Sequence, residues 1–277
     1  MIRIRAVTKQ LRLTKSSYYR RNDIRLQNIK DFKTFKLIEK YFEKGKRKIG
    51  ILQLQMRIER TEKISLGHNR IARIKKKFGL KTEIRKKNTY RFFAKKQQEH
   101  DTCPNILSRA FEVNKPDHVY STDITELPYF GGKVYLAAVK DLCTKEIVAH
   151  TIGKRINVEL TNTTIKKALK KIPENKRKSL IIHSDQGFNF THISYRKLLD
   201  DAGVLQSMSR KGNCLDNAPI ESFFGHIKDH IDLKTCKFFE EVQKLVTKEI
   251  NYYNHHRPQF GLKKMPPSLY RRHLKST

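Results

Sequence analysis

No apolar run in this chain approaches the ~20 residues that a membrane-spanning helix needs, no C-x-x-C pair occurs, and no G-x-S-x-G elbow is present. The first absence argues against a membrane segment. No signal peptide is read at the N-terminus either, so a cytoplasmic protein is expected. The four cysteines, Cys103, Cys143, Cys214 and Cys236, lie far apart, which disfavours zinc ribbons and redox pairs and fits isolated thiols in a reducing compartment. His100 and Cys103 could open a zinc site, but no second pair follows at finger spacing. Without the elbow, Ser184 beside His183 is a poor candidate for a hydrolase nucleophile. Acid is scarce as well. The 277 residues hold 27 Asp and Glu against 60 Lys and Arg, a net charge of +33. Such self-repulsion calls for a polyanionic partner, and with no membrane segment the favoured one is nucleic acid.

The charge is uneven. Residues 1–115 carry 33 basic and 10 acidic side chains, a net of +23, and residues 116–277 carry 27 and 17, a net of +10. Three regions follow: a basic helical segment over 1–85, a polar linker over 86–115, and a more ordinary globular segment over 116–277. In the first, LRLTKSSYYR reads as a turn and a helix start capped by Thr14 or Ser16. Ile51, Leu54 and Ile58 then fall at helical spacing, as do Ile71, Ile74 and Phe78, with Gly67 in the break between them. Two short helices around such a turn fit a helix-turn-helix whose second helix enters a major groove. A plain helical hairpin with solvated lysines satisfies the same spacing, and the total charge favours DNA.

From Val119 the pattern changes. YSTDITEL, KVYLAAVKDL and EIVAHTI read as antiparallel strands, with a turn at Gly131-Gly132. A helix over VELTNTTIKKALKKI, an almost wholly apolar strand SLIIHSD, a further helix and a short strand VLQSM follow. This order predicts an α/β domain on a mixed sheet. Within it, Asp123 lies in the first strand, Asp185 ends the fourth, and Glu221 opens a helical run after a polar loop. If the first and fourth strands are neighbours, both aspartates face one spot at the sheet's edge and the helix adds Glu221. Hard oxygen ligands of this kind suit magnesium. By position alone a structural reading stays open, since Glu221 near a helix N-terminus gains from the helix dipole without any catalytic role.

Four ordered blocks sharpen the choice: VYSTDITEL around Asp123, HSDQGFNF around Asp185, MSRKGNCLDNAPIESFFGHIK holding Glu221 and Lys228, and YYNHHRPQFGLKKMPPSLY near the C-terminus. Together they resemble the DDE transposases of bacterial insertion sequences, specifically the second-reading-frame protein of the insertion sequence three family. The 35 residues between Asp185 and Glu221 match that family's interval. The resemblance implies a ribonuclease H-like integrase core, a mixed five-stranded sheet flanked by helices. It also implies that Asp123, Asp185 and Glu221 hold two Mg²⁺ (or Mn²⁺) ions. The implied activity is nicking of DNA at the element's ends, then attack of the freed 3′-hydroxyl on another phosphodiester. Implied partners are the terminal inverted repeats, target DNA, further copies of the chain, and a first-reading-frame protein, separate or fused by frameshifting. The implied setting is the bacterial cytoplasm, in association with the nucleoid.

Lys228, seven residues after Glu221, resembles the basic residue that the family uses to hold DNA. Arg210, Lys211 and Arg257 are further DNA candidates, although fastening of the terminal helix is the favoured role of the stretch Tyr253–Pro258. His183 either supports Asp185 or packs beside it. Gly187 permits a sharp turn or a close approach. Asn213, Asp216 and Asn217 are read as organising the loop before Glu221. The chain departs from the family in having Tyr120 where Trp is usual, His230 where an acid is usual, and Gln259 where His is usual. Two alternatives therefore stand beside the transposase: a decayed, DNA-holding derivative, and a nuclease that cuts without joining.

Overall fold

The computed structural model describes residues 14–83, 103–108, 111–210 and 214–276. The chain divides into two compact units, Met1–Ile84 and Arg85–Thr277. Most of the expected linker lies outside the described residues.

In the first unit, helix α1 (Lys15–Lys44) starts where Thr14 Oγ1 accepts from Ser17 N at 3.1 Å. It runs 30 residues from that start. Helices α2 (Ile51–Glu62) and α3 (His68–Lys77) form the expected pair, and Gly67 is the N-cap of α3 with an ordinary φ of −64°. Ile38, Phe42, Leu54, Ile58, Ile71 and Ile74 interlock as one buried core. Asp31 of α1, fully buried, takes both terminal nitrogens of Arg73 at 2.6 and 2.7 Å and Lys77 at 2.7 Å. These bonds, against the cost of burial, hold its carboxyl well below the usual range.

In the second unit, strands β1 (Val119–Tyr129), β2 (Gly132–Asp141) and β3 (Ile147–Gly153) form an antiparallel meander. Its first turn is Phe130-Gly131, one residue earlier than the glycine pair suggests, because Tyr129 pairs with Gly132. Gly132 adopts φ +128°, open only to glycine without strain. Helix α4 (Val158–Leu169) and a single turn, α5 (Glu174–Arg177), lead into β4 (Ile181–Ser184), which lies parallel to β1. A short helix, α6 (Phe188–Thr191), and α7 (Ile193–Asp201) lead to β5 (Leu205–Met208), parallel to β4. Strand order is β3-β2-β1-β4-β5, the expected mixed five-stranded sheet. A 3₁₀ turn (Cys214–Asn217) feeds α8 (Ala218–His230), which packs on β1, and α9 (Phe239–His255) packs on α8. The C-terminal helix α10 (Pro267–Ser276) closes the chain.

Two apolar cores sandwich the sheet. Leu136, Ala138, Phe223, Ile227, Val246 and Ile250 form the one under α8 and α9; Val139, Ile165, Ile182, Tyr195 and Leu199 belong to the one under α4 and α7. Fastening comes from Asn254, whose amide brackets the backbone of Ile147 at 2.9 and 3.0 Å. Among the described residues no helix is long and apolar enough to cross a membrane.

Candidate active site

Strands β1 and β4 pair in parallel with Val119 opposite Ile181, Tyr120 opposite Ile182 and Ser121 opposite His183. Two residues further along this register stand Asp123 and Asp185. Side chains repeat every second residue along a strand, and register partners share a face. Strand periodicity carried past the last pair would bring both aspartates to one face of neighbouring strands, whose axes lie ~4.8 Å apart, although Asp185 already stands one residue beyond the end of β4. Their place is the middle of the sheet where β4 ends, not its lateral edge, because β1 is the central strand and continues to Tyr129. Both are half-buried. Asp123 Oδ1 accepts from Ile124 N at 2.7 Å and Asp185 Oδ1 from Gly187 N at 2.9 Å. Gly187 has an ordinary φ of −65°, so a sharp turn is not what requires it. A Cβ there would sit 2.9 Å from Asp185 Oδ1, so a larger residue would crowd that carboxylate.

Glu221 stands on the first turn of α8, where it is exposed. Two bonds hold that helix start against the sheet. The Ser121 hydroxyl donates to Asn217 Oδ1 at 2.6 Å, and Lys140 Nζ donates to the Pro219 carbonyl at 2.7 Å. Ser121 and Lys140 are themselves cross-strand partners on β1 and β2. Burial, with the Arg257 charge adding to it, pushes the Lys140 ammonium down to about 7. Sequence reading missed Lys140; its signal is a lysine inside the apolar run LAAVKDL.

The loop before α8 is organised by Asp216, which is buried and accepts from Asn105 Nδ2 and Arg210 N at 3.1 Å and from Arg210 Nε at 3.2 Å. His183 lies buried behind it. Its Nε2 is 3.0 Å from the Asp216 carbonyl and its Nδ1 2.9 Å from Ser207 Oγ. A carbonyl only accepts, so Nε2 carries the proton and Nδ1 accepts from the serine. Ser207 Oγ in turn accepts the amides of Ile106 and Leu107 at 3.1 and 3.3 Å. Burial pushes the imidazole below its ordinary value, in keeping with this neutral tautomer. Both ring nitrogens thus clasp β5 and the loop.

Lys228 lies about 10 Å along α8 from Glu221 and only about 20° around it, so both share a face. Arg257 stacks over Tyr253 at 5.7 Å. Lys211 and Asn213 lie outside the described residues. Among the described residues, the group of three candidate ligands with donor atoms all within 4.8 Å is His226, His230 and Glu249, and it includes none of the three acids.

Comparison with known proteins identifies the family. Two family models described as "Integrase core domain" match residues 113–214 and 202–267, and one described as "HTH-like domain" matches residues 30–88. A transposase-like protein of Haemophilus influenzae is 36% identical over 217 residues, covering 78% of this chain and 98% of its own length. The putative transposase InsK for insertion sequence element IS150 of Escherichia coli is 32% identical over 237 residues, covering 85% of this chain and 82% of its own. Transposase InsF for insertion sequence IS3A, also of Escherichia coli, is 33% identical over 126 residues, covering 45% of this chain and 42% of its own. Among solved structures, the HTLV-2 integrase catalytic core domain in complex with magnesium aligns with a TM-score of 0.45 at 16% identity, over 56% of this chain and 97% of that one.

Proposed function

The chain belongs to the insertion-sequence transposases that carry an integrase core, the group that includes the IS3 and IS150 proteins, and from that premise we propose that it cuts and joins DNA at Asp123, Asp185 and Glu221. The observation that supports this reading is the β1–β4 register, whose last pair, Ser121 and His183, lies two residues before each aspartate. Glu221 arrives on a helix tied to the same strand through Asn217.

The donor set is purely carboxylate, half-buried at the aspartates and exposed at the glutamate. Such a set suits hard divalent cations, Mg²⁺ or Mn²⁺, and leaves room for water and phosphate oxygens. When bound, two such ions supply activation of the attacking oxygen and neutralisation of the leaving one. Asp123, Asp185 and Glu221 would hold them. The protein's own part is placement. The Ser121–Asn217 and Lys140–Pro219 bonds fix the glutamate's helix, and the Gly187 amide orients the Asp185 carboxylate.

Lys228, on the Glu221 face of α8, holds DNA phosphate beside the acids. In the first unit, α3 presents His68, Asn69 and Lys76 to solvent as the groove-reading surface. Water attacks a phosphodiester at the element's end, breaking its P–O3′ bond to leave a 3′-hydroxyl and a 5′-phosphate; that hydroxyl then attacks a second phosphodiester and expels its 3′-oxygen, so one phosphodiester is made as one is broken, with no covalent protein intermediate. Joining two ends requires at least two copies of the chain on DNA.

The test is an incubation of the purified chain with labelled element-end duplex and Mg²⁺, resolving nicked from joined strands. Joined product is expected. Nicked product alone identifies a nuclease, and neither product, with DNA binding intact, identifies a decayed derivative.

A further inference from the structure

On the opposite side of α8 from Glu221 lies a second cluster with different chemistry. His226 and His230 are four residues apart, so both rings project from one helix face. Counting from Glu221, they fall about 140° and 180° around the helix, away from the acid and Lys228. Glu249 enters from α9. Its Oε1 lies 3.2 Å from His226 Nε2 and 3.8 Å from His230 Nδ1. All three side chains are largely buried, at 7, 13 and 15% exposure, and one donor atom from each lies within 4.8 Å of the others.

We propose that His226, His230 and Glu249 form a binding site for one zinc-class divalent cation that clamps α8 to α9. Zinc bonds of ~2.0–2.1 Å at a tetrahedral angle separate two donors by about 3.4 Å, and the two imidazole–carboxylate distances, 3.2 and 3.8 Å, bracket that value. Two imidazoles and a carboxylate are a borderline donor set. It suits zinc and its first-row neighbours, whereas magnesium prefers oxygen alone. Three protein ligands leave a fourth position for water. His226 also lines a cavity of about 640 Å³ together with Lys140, Ser222, Tyr253 and Arg257, which gives an ion a way in. The Tyr253 ring packs against the His226 ring at 5.4 Å between centroids and limits its rotation. The ion would join the helix that carries Glu221 to its neighbour, so its role is to hold that helix in place, not to take part in the chemistry.

The experiment uses the full chain, stripped with chelator and titrated with Co²⁺ in millimolar Mg²⁺, which keeps the all-oxygen triad occupied. One equivalent should bind and give the intense visible absorption of a tetrahedral site, with no near-ultraviolet thiolate band, and Zn²⁺ should displace it. Glu249→Gln, nearly isosteric, and His230→Gln should each lose the bound equivalent while circular dichroism shows an unchanged fold. Asp185→Asn should keep it. Zn²⁺ should raise the melting temperature of the wild type and leave that of Glu249→Gln unmoved. No tetrahedral band in the wild type would overturn the proposal and make the cluster an ion pair only. So would a band that survives both ligand variants, or one lost in Asp185→Asn.

Discussion

Replacing Asn217 with alanine tests whether the start of α8 sets the position of Glu221. The substitution removes the acceptor for the Ser121 hydroxyl, a 2.6 Å bond between two buried side chains, together with a weak 3.4 Å donation to the Thr122 carbonyl. Ser121 then keeps a buried hydroxyl without its Asn217 acceptor, which costs about 1–3 kcal/mol of stability. The effect on joining should be larger than that loss implies. Glu221 sits one helical turn beyond the lost anchor, and a displacement of about 1 Å in a reacting group costs on the order of 10²-fold in rate. The Lys140–Pro219 bond survives and limits the movement, so a fall of about 10- to 100-fold is expected with DNA affinity unchanged. A Ser121→Ala/Asn217→Ala double variant removes both partners and should recover part of the stability, as measured by urea unfolding, but not the joining rate. Wild-type joining by Asn217→Ala refutes the positioning argument. So does a double variant that regains rate and stability together.

Arg271 on the terminal helix bonds Asp117 at 2.7 Å, fully buried Asp141 at 2.6 Å, and Glu146. Arg271→Ala leaves three enclosed carboxylates facing one another and should cost about 3–5 kcal/mol. The measurement is urea unfolding followed by circular dichroism, since the chain has no Trp to report by fluorescence. A loss under about 1 kcal/mol would mark a surface-type pair instead. Lys140 supplies a pH signature. Its folded value of about 7 lies below the ordinary 10.5, so between those values unfolding takes up a proton and stability rises with pH. The burial penalty is full below about 7. Lys140→Met should therefore gain most on the wild type at or below pH 7 and lose that advantage towards pH 10. A stability difference flat with pH contradicts the assignment.

Strand periodicity made most of the sheet legible. The apolar stretch around Ile181 and Ile182 reads as a strand covered on both faces, and the structure places it inside the sheet, paired on each side. Asp123, Asp185 and Glu221 were legible through the four ordered blocks and the 35-residue interval, not through position alone. That the strands leading to the two aspartates pair in parallel is a tertiary fact, carried by segments some 60 residues apart. The same limit hid Arg271, whose three partners lie more than 120 residues away, and Glu249, which looks like a surface acid until α9 brings it against His226 and His230. His183 was ambiguous for a related reason: its partners, Ser207 and Asp216, are 24 and 33 residues on. The length of α1 was missed because its sequence is largely polar and basic, and only the contacts of its second half with α2 and α3 reveal a core-facing side.

The central claim, that three carboxylates make this chain a DNA-joining enzyme, is tested most directly by one measurement. Joined product formed in Mg²⁺ from a pre-nicked element end is compared among the wild type, Asp123→Asn, Asp185→Asn and Glu221→Gln, with DNA affinity recorded in parallel. Each substitution removes one charge from the ion-holding set at almost constant shape. All three variants should bind DNA as the wild type does and yield no joined strand. Joining at the wild-type rate by any one of them would contradict the assignment of that carboxylate, and by Asp185→Asn would contradict the site itself.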